Sequence, residues 1–220
     1  LVATAAVKVI GAVYKIPLTG LIGGTGRGYF STAYTLFMPV HAITLGAFPV
    51  ALSGLVSKYR ATGDSARVAA LQRSARGLFF WVGLAGTALM VLLAGPYTRL
   101  VAGAPKSVYT VLILAPTALF SAMAAAHRAF AEGHLNMVPT SVCQVLEALF
   151  KMVFGLLFAK LSMGRLYQIY LDTGMVLGNR AESETAALSM MYPVTAAYAM
   201  LGVTLGALVA WVYAALYDRF

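Results

Sequence analysis

The chain has 220 residues, 60% hydrophobic and 10% charged, with sixteen Lys and Arg against seven Asp and Glu for a net charge of +9. A soluble domain carries about 25% charged residues, so the composition excludes an ordinary water-soluble fold and points to an all-α, polytopic membrane protein. The basic surplus is clustered between apolar runs, as membrane-flanking loops require. That leaves no basic surface for nucleic acid, and membrane lipids are the expected partners.

Six apolar segments stand out, near 1–22, 30–57, 77–95, 107–130, 139–161 and 187–216. Each approaches the roughly 20 residues that cross a bilayer core. In the first, Lys8 and Lys15 are seven residues apart and so lie within about 20° on a helical wheel, with Thr4, Gly11 and Thr19 on the same side. Two readings stay open: a cationic wall for an anionic head group such as a lipid-linked phosphate or pyrophosphate, or lysines that snorkel to an interface. Gly23-Gly24-Thr25-Gly26-Arg27-Gly28 has no preceding strand and no closing Lys-Ser/Thr. It is therefore read as a tight turn rather than a phosphate loop.

The second segment carries Pro39 and Pro49, which suit a bent helix. It also carries His41, with Tyr34 and Ser31 on neighbouring faces. A lone histidine on an apolar helix is usually a packing residue, so His41 and Tyr34 rank as minor cavity candidates. Residues 58–76 hold Lys58, Arg60, Arg67, Arg73 and Arg76 against Asp64 alone, with Asp64 or Ser65 placed to cap a short surface helix. The positive-inside rule puts this loop in the cytoplasm. The amino terminus, 131–138 and Phe220 are then cytoplasmic, and 23–29, 95–106 and 162–186 lie outside, with Arg27, Arg99 and Lys106 as minority external charges. His127 and His134 flank a helix end and are read as interfacial.

The stretch from Arg128 into the fifth segment is the most polar within an apolar context. Thr140, Gln144, Glu147 and Lys151 fall within about 60° of one another. A charge at a helix centre costs about 2.5–3.5 kcal/mol even on the lenient insertion scale, so such residues face protein or a water-filled cavity. Arg128, Gln144, Glu147 and Lys151 are therefore cavity candidates, and Glu147 is a candidate for ion coupling. The alternative is a polar cluster that locks helices together, with Glu147 and Lys151 paired at i,i+4. The single cysteine, Cys143, permits no intrachain disulfide, and the three histidines have no metal-ligand spacing. No catalytic constellation emerges, so neither enzyme activity nor a cofactor is expected.

Three stretches resemble one family in order. They are KVIGAVYKIPLTGLIGGTGRGYFSTAYTLF, AFPVALSGLVSKYRATGD and RAFAEGHLNMVPTSVCQVLEALFK. Together they resemble the polysaccharide biosynthesis and stage V sporulation protein B-like flippases of the multidrug/oligosaccharidyl-lipid/polysaccharide exporter superfamily. The resemblance implies two six-helix lobes around a central cavity. This chain would be the amino-terminal lobe, 1–220, either part of a longer protein whose carboxy-terminal lobe follows or one of a pair of half-transporters. It implies alternating-access flipping of a lipid-linked oligosaccharide or peptidoglycan precursor across a bacterial cytoplasmic membrane. Lys8 falls on the family's first basic position of helix one, and Lys15 lies one residue from its second. The alternatives are a multidrug or cation antiporter, which needs an acidic cavity, and a membrane-embedded enzyme acting on lipid-linked substrates. A scaffold subunit, with the charged stripes as helix glue, is a further possibility.

Overall fold

The computed structural model describes residues 2–218. Leu1 and Phe220, the expected start of the first span and the expected cytoplasmic end, lie outside them. Helix α1 (Val2–Leu45) is helical throughout except at Gly23, whose φ of 63° and ψ of −177° only glycine adopts readily. Tyr14 and Tyr34 would lie about 30 Å apart on a straight helix. Their rings instead sit 5.9 and 4.9 Å from the same atom, Lys151 Nζ. The chain therefore folds back at Gly23, and α1 is two spans, 2–22 and 24–45.

The turn expected over 23–29 is thus one residue, because Gly24 to Tyr29 continue the second limb as helix. A Cβ on Gly23 would come 2.7 Å from Tyr192 Cζ, whereas one on Gly24 would meet nothing within 4 Å. Gly23→Ala is expected to cost about 1–3 kcal/mol, read as a lowered unfolding temperature of the full-length protein in detergent. Gly24→Ala should leave that temperature unchanged.

Pro49 lacks the N–H that would reach Leu45, and the helix breaks at Gly46 and Ala47 before restarting as α2 (Phe48–Ala61). The expected loop over 58–76 is mostly helix. It comprises the end of α2, a tight turn and the first turns of α3 (Ser65–Pro96). Asp64 caps α3 as expected, accepting from Arg67 N at 3.0 Å. The helix is not short, however, because Ala, Leu, Gln and Arg sustain it straight into the span.

A π-helical turn (Tyr97–Val101) and a 3-10 turn (Pro105–Ser107) lead to α4 (Val108–Leu114) and α5 (Pro116–Gly133). Around the Pro116 joint, threonines serve the exposed carbonyls. Thr204 Oγ1 donates to Ile113 O at 2.7 Å and Thr87 Oγ1 to Ala115 O at 3.2 Å.

Helix α6 (Val138–Thr173) has 36 residues, about 54 Å, and so outruns the bilayer. The expected loop over 162–186 is correspondingly shorter. The helix ends at Gly174 in the left-handed conformation. A two-stranded hairpin (Met175–Val176 with Asn179–Arg180) follows, and Ser183 caps α7 (Glu184–Tyr217) through Ala186 N at 3.2 Å. Among the described residues, five helical stretches are long and apolar enough to cross a membrane, and the reversal at Gly23 makes six passes. Helix α7 packs against α1, α4, α5 and α6, while Tyr198, Val212 and Leu216 on its remaining face are exposed, as apolar residues of a membrane span can be.

Candidate functional site

The site begins with glycine. On α7, Gly202 and Gly206 form a G-x-x-x-G step against α6. A Cβ on Gly202 would land on the backbone N and Cα of Gly155, and one on Gly206 would lie 2.8 Å from Glu147 O. The backbone of α6 from Glu147 to Gly155 is thereby pressed onto α7. Gly155 is also the floor on which Tyr14 rests, since a Cβ there would meet Tyr14 Oη at 2.7 Å. Tyr14 is 4% exposed, and its hydroxyl has no hydrogen-bond partner among the described residues.

With one side of α6 occupied by α7, Lys151 reaches toward α1. Its ammonium donates to Tyr34 Oη at 2.6 Å and lies near the faces of both tyrosine rings. Beyond it, between the two limbs of α1 and α6, opens a groove of about 510 Å³. Among the described residues its polar lining is Tyr14, Lys15, Thr19, Arg27, Ser31, Tyr34 and Lys151, with no Asp or Glu. Three cations thus converge on a half-enclosed space between apolar walls. Low dielectric strengthens their pull on an anion, and a phosphate or pyrophosphate suits donors of this kind.

The profile of the family described as polysaccharide biosynthesis protein matches residues 1–173. The chain belongs to that family. It is 28% identical to the lipid II flippase MurJ of Bacillus subtilis (strain 168) over 158 residues, which cover 67% of this chain and 28% of that protein. It is 25% identical to stage V sporulation protein B of the same organism over 140 residues, covering 64% of this chain and 27% of that one. The matches therefore span little more than a quarter of either relative's length. No solved structure matches. Membership in the polysaccharide biosynthesis family agrees with the resemblance carried by the first helix, the second-helix stretch and the passage from Arg128 to Lys151.

Of the residues singled out in this family member's sequence, the structure brings Lys15, Tyr34 and Lys151 to the groove. Lys8 is exposed one turn before Gly11, outside the lining, and Gln144 is exposed on α6. Glu147 is half-buried, and its charge reaches Tyr34 and Lys151. The i,i+4 pair does not close: Glu147 and Lys151 form no ion pair within 4.0 Å, because Lys151 turns to Tyr34. Arg128 is half-buried on α5, within electrostatic reach of His41 and Cys143. His41 packs its ring 5.1 Å from Phe37. Thr140, on the same stripe, donates to Glu132 Oε1 at 2.7 Å.

Two groove residues lie beyond the sequence expectations: Arg27, expected as a minority external charge, and Tyr14, which no pattern in the sequence singles out. A second polar cluster also lies beyond them. The Asp218 carboxylate, just past α7, accepts from Gln72 Nε2 (2.9 Å to both oxygens), from Arg76 Nη2 (2.7 Å) and from His127 Nδ1 (2.8 Å). It joins α3, α5 and the end of α7, so His127 is a buried strut rather than an interfacial residue.

Burial pushes the Asp218 carboxyl up, but the donors from His127, Arg76 and Gln72 outweigh it and hold the group below the ordinary carboxylate value. A carboxyl depressed in the folded state stabilises above its unfolded pKa, about 3.9 for Asp, and that contribution fades as pH falls through the folded value. Thermal unfolding of the full-length protein in detergent should accordingly show extra loss of stability below about pH 4. Asp218→Asn should flatten that part of the profile.

Proposed function

We propose that the chain is the amino-terminal lobe of a flippase that moves an anionic lipid-linked oligosaccharide or cell-wall precursor across a bacterial cytoplasmic membrane by alternating access. The observation that carries this reading is the groove between α1 and α6, where Lys15, Arg27 and Lys151 meet with no Asp or Glu among the described lining residues. Such a cavity attracts a phosphate-bearing head group and repels the cations an antiporter must bind. The name of one relative, a lipid II flippase, supports the cargo class. The second lobe that closes the cavity is the partner expected from the rest of the protein. The basic corner of Lys58, Arg60, Arg67, Arg73 and Arg76 supports a cytoplasmic amino terminus. Half-buried Glu147, beside Lys151, is the residue to which an ion-coupling role would fall.

The test is flipping by the full-length protein in proteoliposomes, using a fluorescent lipid-linked saccharide with a pyrophosphate head and an analogue with a neutral head. The proposal expects transport of the first only, with Lys15→Gln and Arg27→Gln each slowing it several-fold. Equal transport of both lipids, or efflux of a cationic dye that needs Glu147 and ignores Lys15, would favour the antiporter instead.

A further inference from the structure

The first limb of α1 has a second groove on its other flank. Val13 and Pro17 from α1 and Met152, Val153 and Leu156 from α6 form its apolar walls. The trough continues along α6 through Leu157 and Lys160 to Arg165 and Gln168. Among the described residues no Asp or Glu lines either part. Two glycines widen it, since a Cβ on Gly20 or Gly164 would meet nothing within 4 Å.

The position of the cations is informative. Lys160 lies 22 residues along α6 from Val138, about 33 Å, which is close to the thickness of the hydrocarbon core. The start of α6 adjoins the basic corner, where Arg60 Nη1 donates to His134 O at 2.6 Å. Lys160 and Arg165 therefore stand at the opposite interface, at head-group depth, with the apolar trough running back from them toward the bilayer middle.

We infer that this trough is a binding site for an anionic phospholipid of the leaflet opposite the basic corner. Its phosphate is held by Lys160 and Arg165, and an acyl chain lies along Val13, Pro17, Val153 and Leu156. The tail of the transported lipid is the less fitting occupant. The seam of Tyr14 on Gly155 closes α1 against α6 between the two grooves, so one molecule would have to straddle the first limb to use both. The inference needs only that the chain sits in a membrane and stands apart from the flippase reading. A failure of cargo transport leaves it intact.

Native mass spectrometry tests it on the full-length protein released from vesicles of equal phosphatidylglycerol and phosphatidylcholine. The wild type should retain phosphatidylglycerol in preference. Lys160→Gln/Arg165→Gln should weaken that retention about thirtyfold, the factor two interfacial cations supply. Gly20→Leu/Gly164→Leu fills the trough without touching charge and should displace the same lipid. Lys58→Gln/Arg73→Gln removes equal charge at the basic corner and should retain it. The inference is overturned if the wild type shows no preference, if the Lys160/Arg165 variant matches the wild type, if the corner variant loses the lipid equally, or if the filled trough still holds it.

Discussion

Gly202→Ala should destabilise the full-length protein sharply, although the added group is a single methyl. Helices α6 and α7 approach so closely that the new Cβ would fall on the backbone of Gly155 rather than on a side chain that can swing away. Overpacking a well-packed core costs about 1–3 kcal/mol, occasionally more. Here relief requires α6 to move off α7 as a body. That motion would also unseat Tyr14 from Gly155 and carry Lys151 away from Tyr34, so stability and transport should fall together. Gly206→Ala, against Glu147 O and the Lys151 backbone, should behave alike. Gly11→Ala and Gly20→Ala face open space and serve as controls for the unfolding temperature alone. The measurement is thermal unfolding in detergent beside precursor flipping. An unfolding temperature for Gly202→Ala equal to that of Gly11→Ala would mean the glycine step does not set the α6–α7 distance.

The second large effect belongs to Lys151. Lys151→Gln should reduce flipping of a pyrophosphate-headed precursor by roughly a hundredfold, within the 2–5 kcal/mol range of losing one partner of a buried charged contact. Two other variants separate cargo recognition from structural repair. Lys151→Arg keeps the charge and should retain a measurable part of the rate, although guanidinium and ammonium are not interchangeable at a fitted site. Glu147→Gln/Lys151→Gln removes the carboxylate left behind by the single change. If Lys151 serves mainly to balance Glu147, the double variant regains transport. If Lys151 meets cargo, it stays as slow as Lys151→Gln. Stability should follow the charge balance in either case, so unfolding temperatures measured alongside tell misfolding from lost recognition.

Much of the fold is legible in the residues because membrane helices obey few rules. Apolar length fixes the number of passes, and the Lys and Arg clusters mark the corners, with Asp64 capping α3 where the pattern placed it. The errors fall where backbone geometry decides. Six residues of polar and glycine character suggest a loop at 23–28, yet Gly23 alone turns the chain and the rest complete a helix. Helix α6 runs past the bilayer into a stretch whose charges read as loop.

The site was half legible. Wheel angles place Lys15 on one face of α1 and Lys151 on one face of α6, but a wheel cannot say which helix stands opposite. Arg27 joins the site only because the hairpin at Gly23 folds the second limb beside the first. The G-x-x-x-G step at Gly202 and Gly206 was visible in the sequence and is the signal that orients α6. The Asp218 cluster gave no local sign, since its donors lie 91, 142 and 146 residues away.

The central claim is that three convergent cations receive the anionic group of the cargo. Its most direct test is equilibrium binding of a pyrophosphate-headed lipid saccharide and a neutral-headed analogue to the full-length protein in nanodiscs of neutral lipid. Wild type is compared with the variant carrying Lys15→Gln, Arg27→Gln and Lys151→Gln. The wild type should bind the anionic lipid far more tightly, and the triple variant should bind both lipids with nearly equal, weak affinity. An anionic preference that survives in the triple variant would contradict the assignment of this groove as the cargo site.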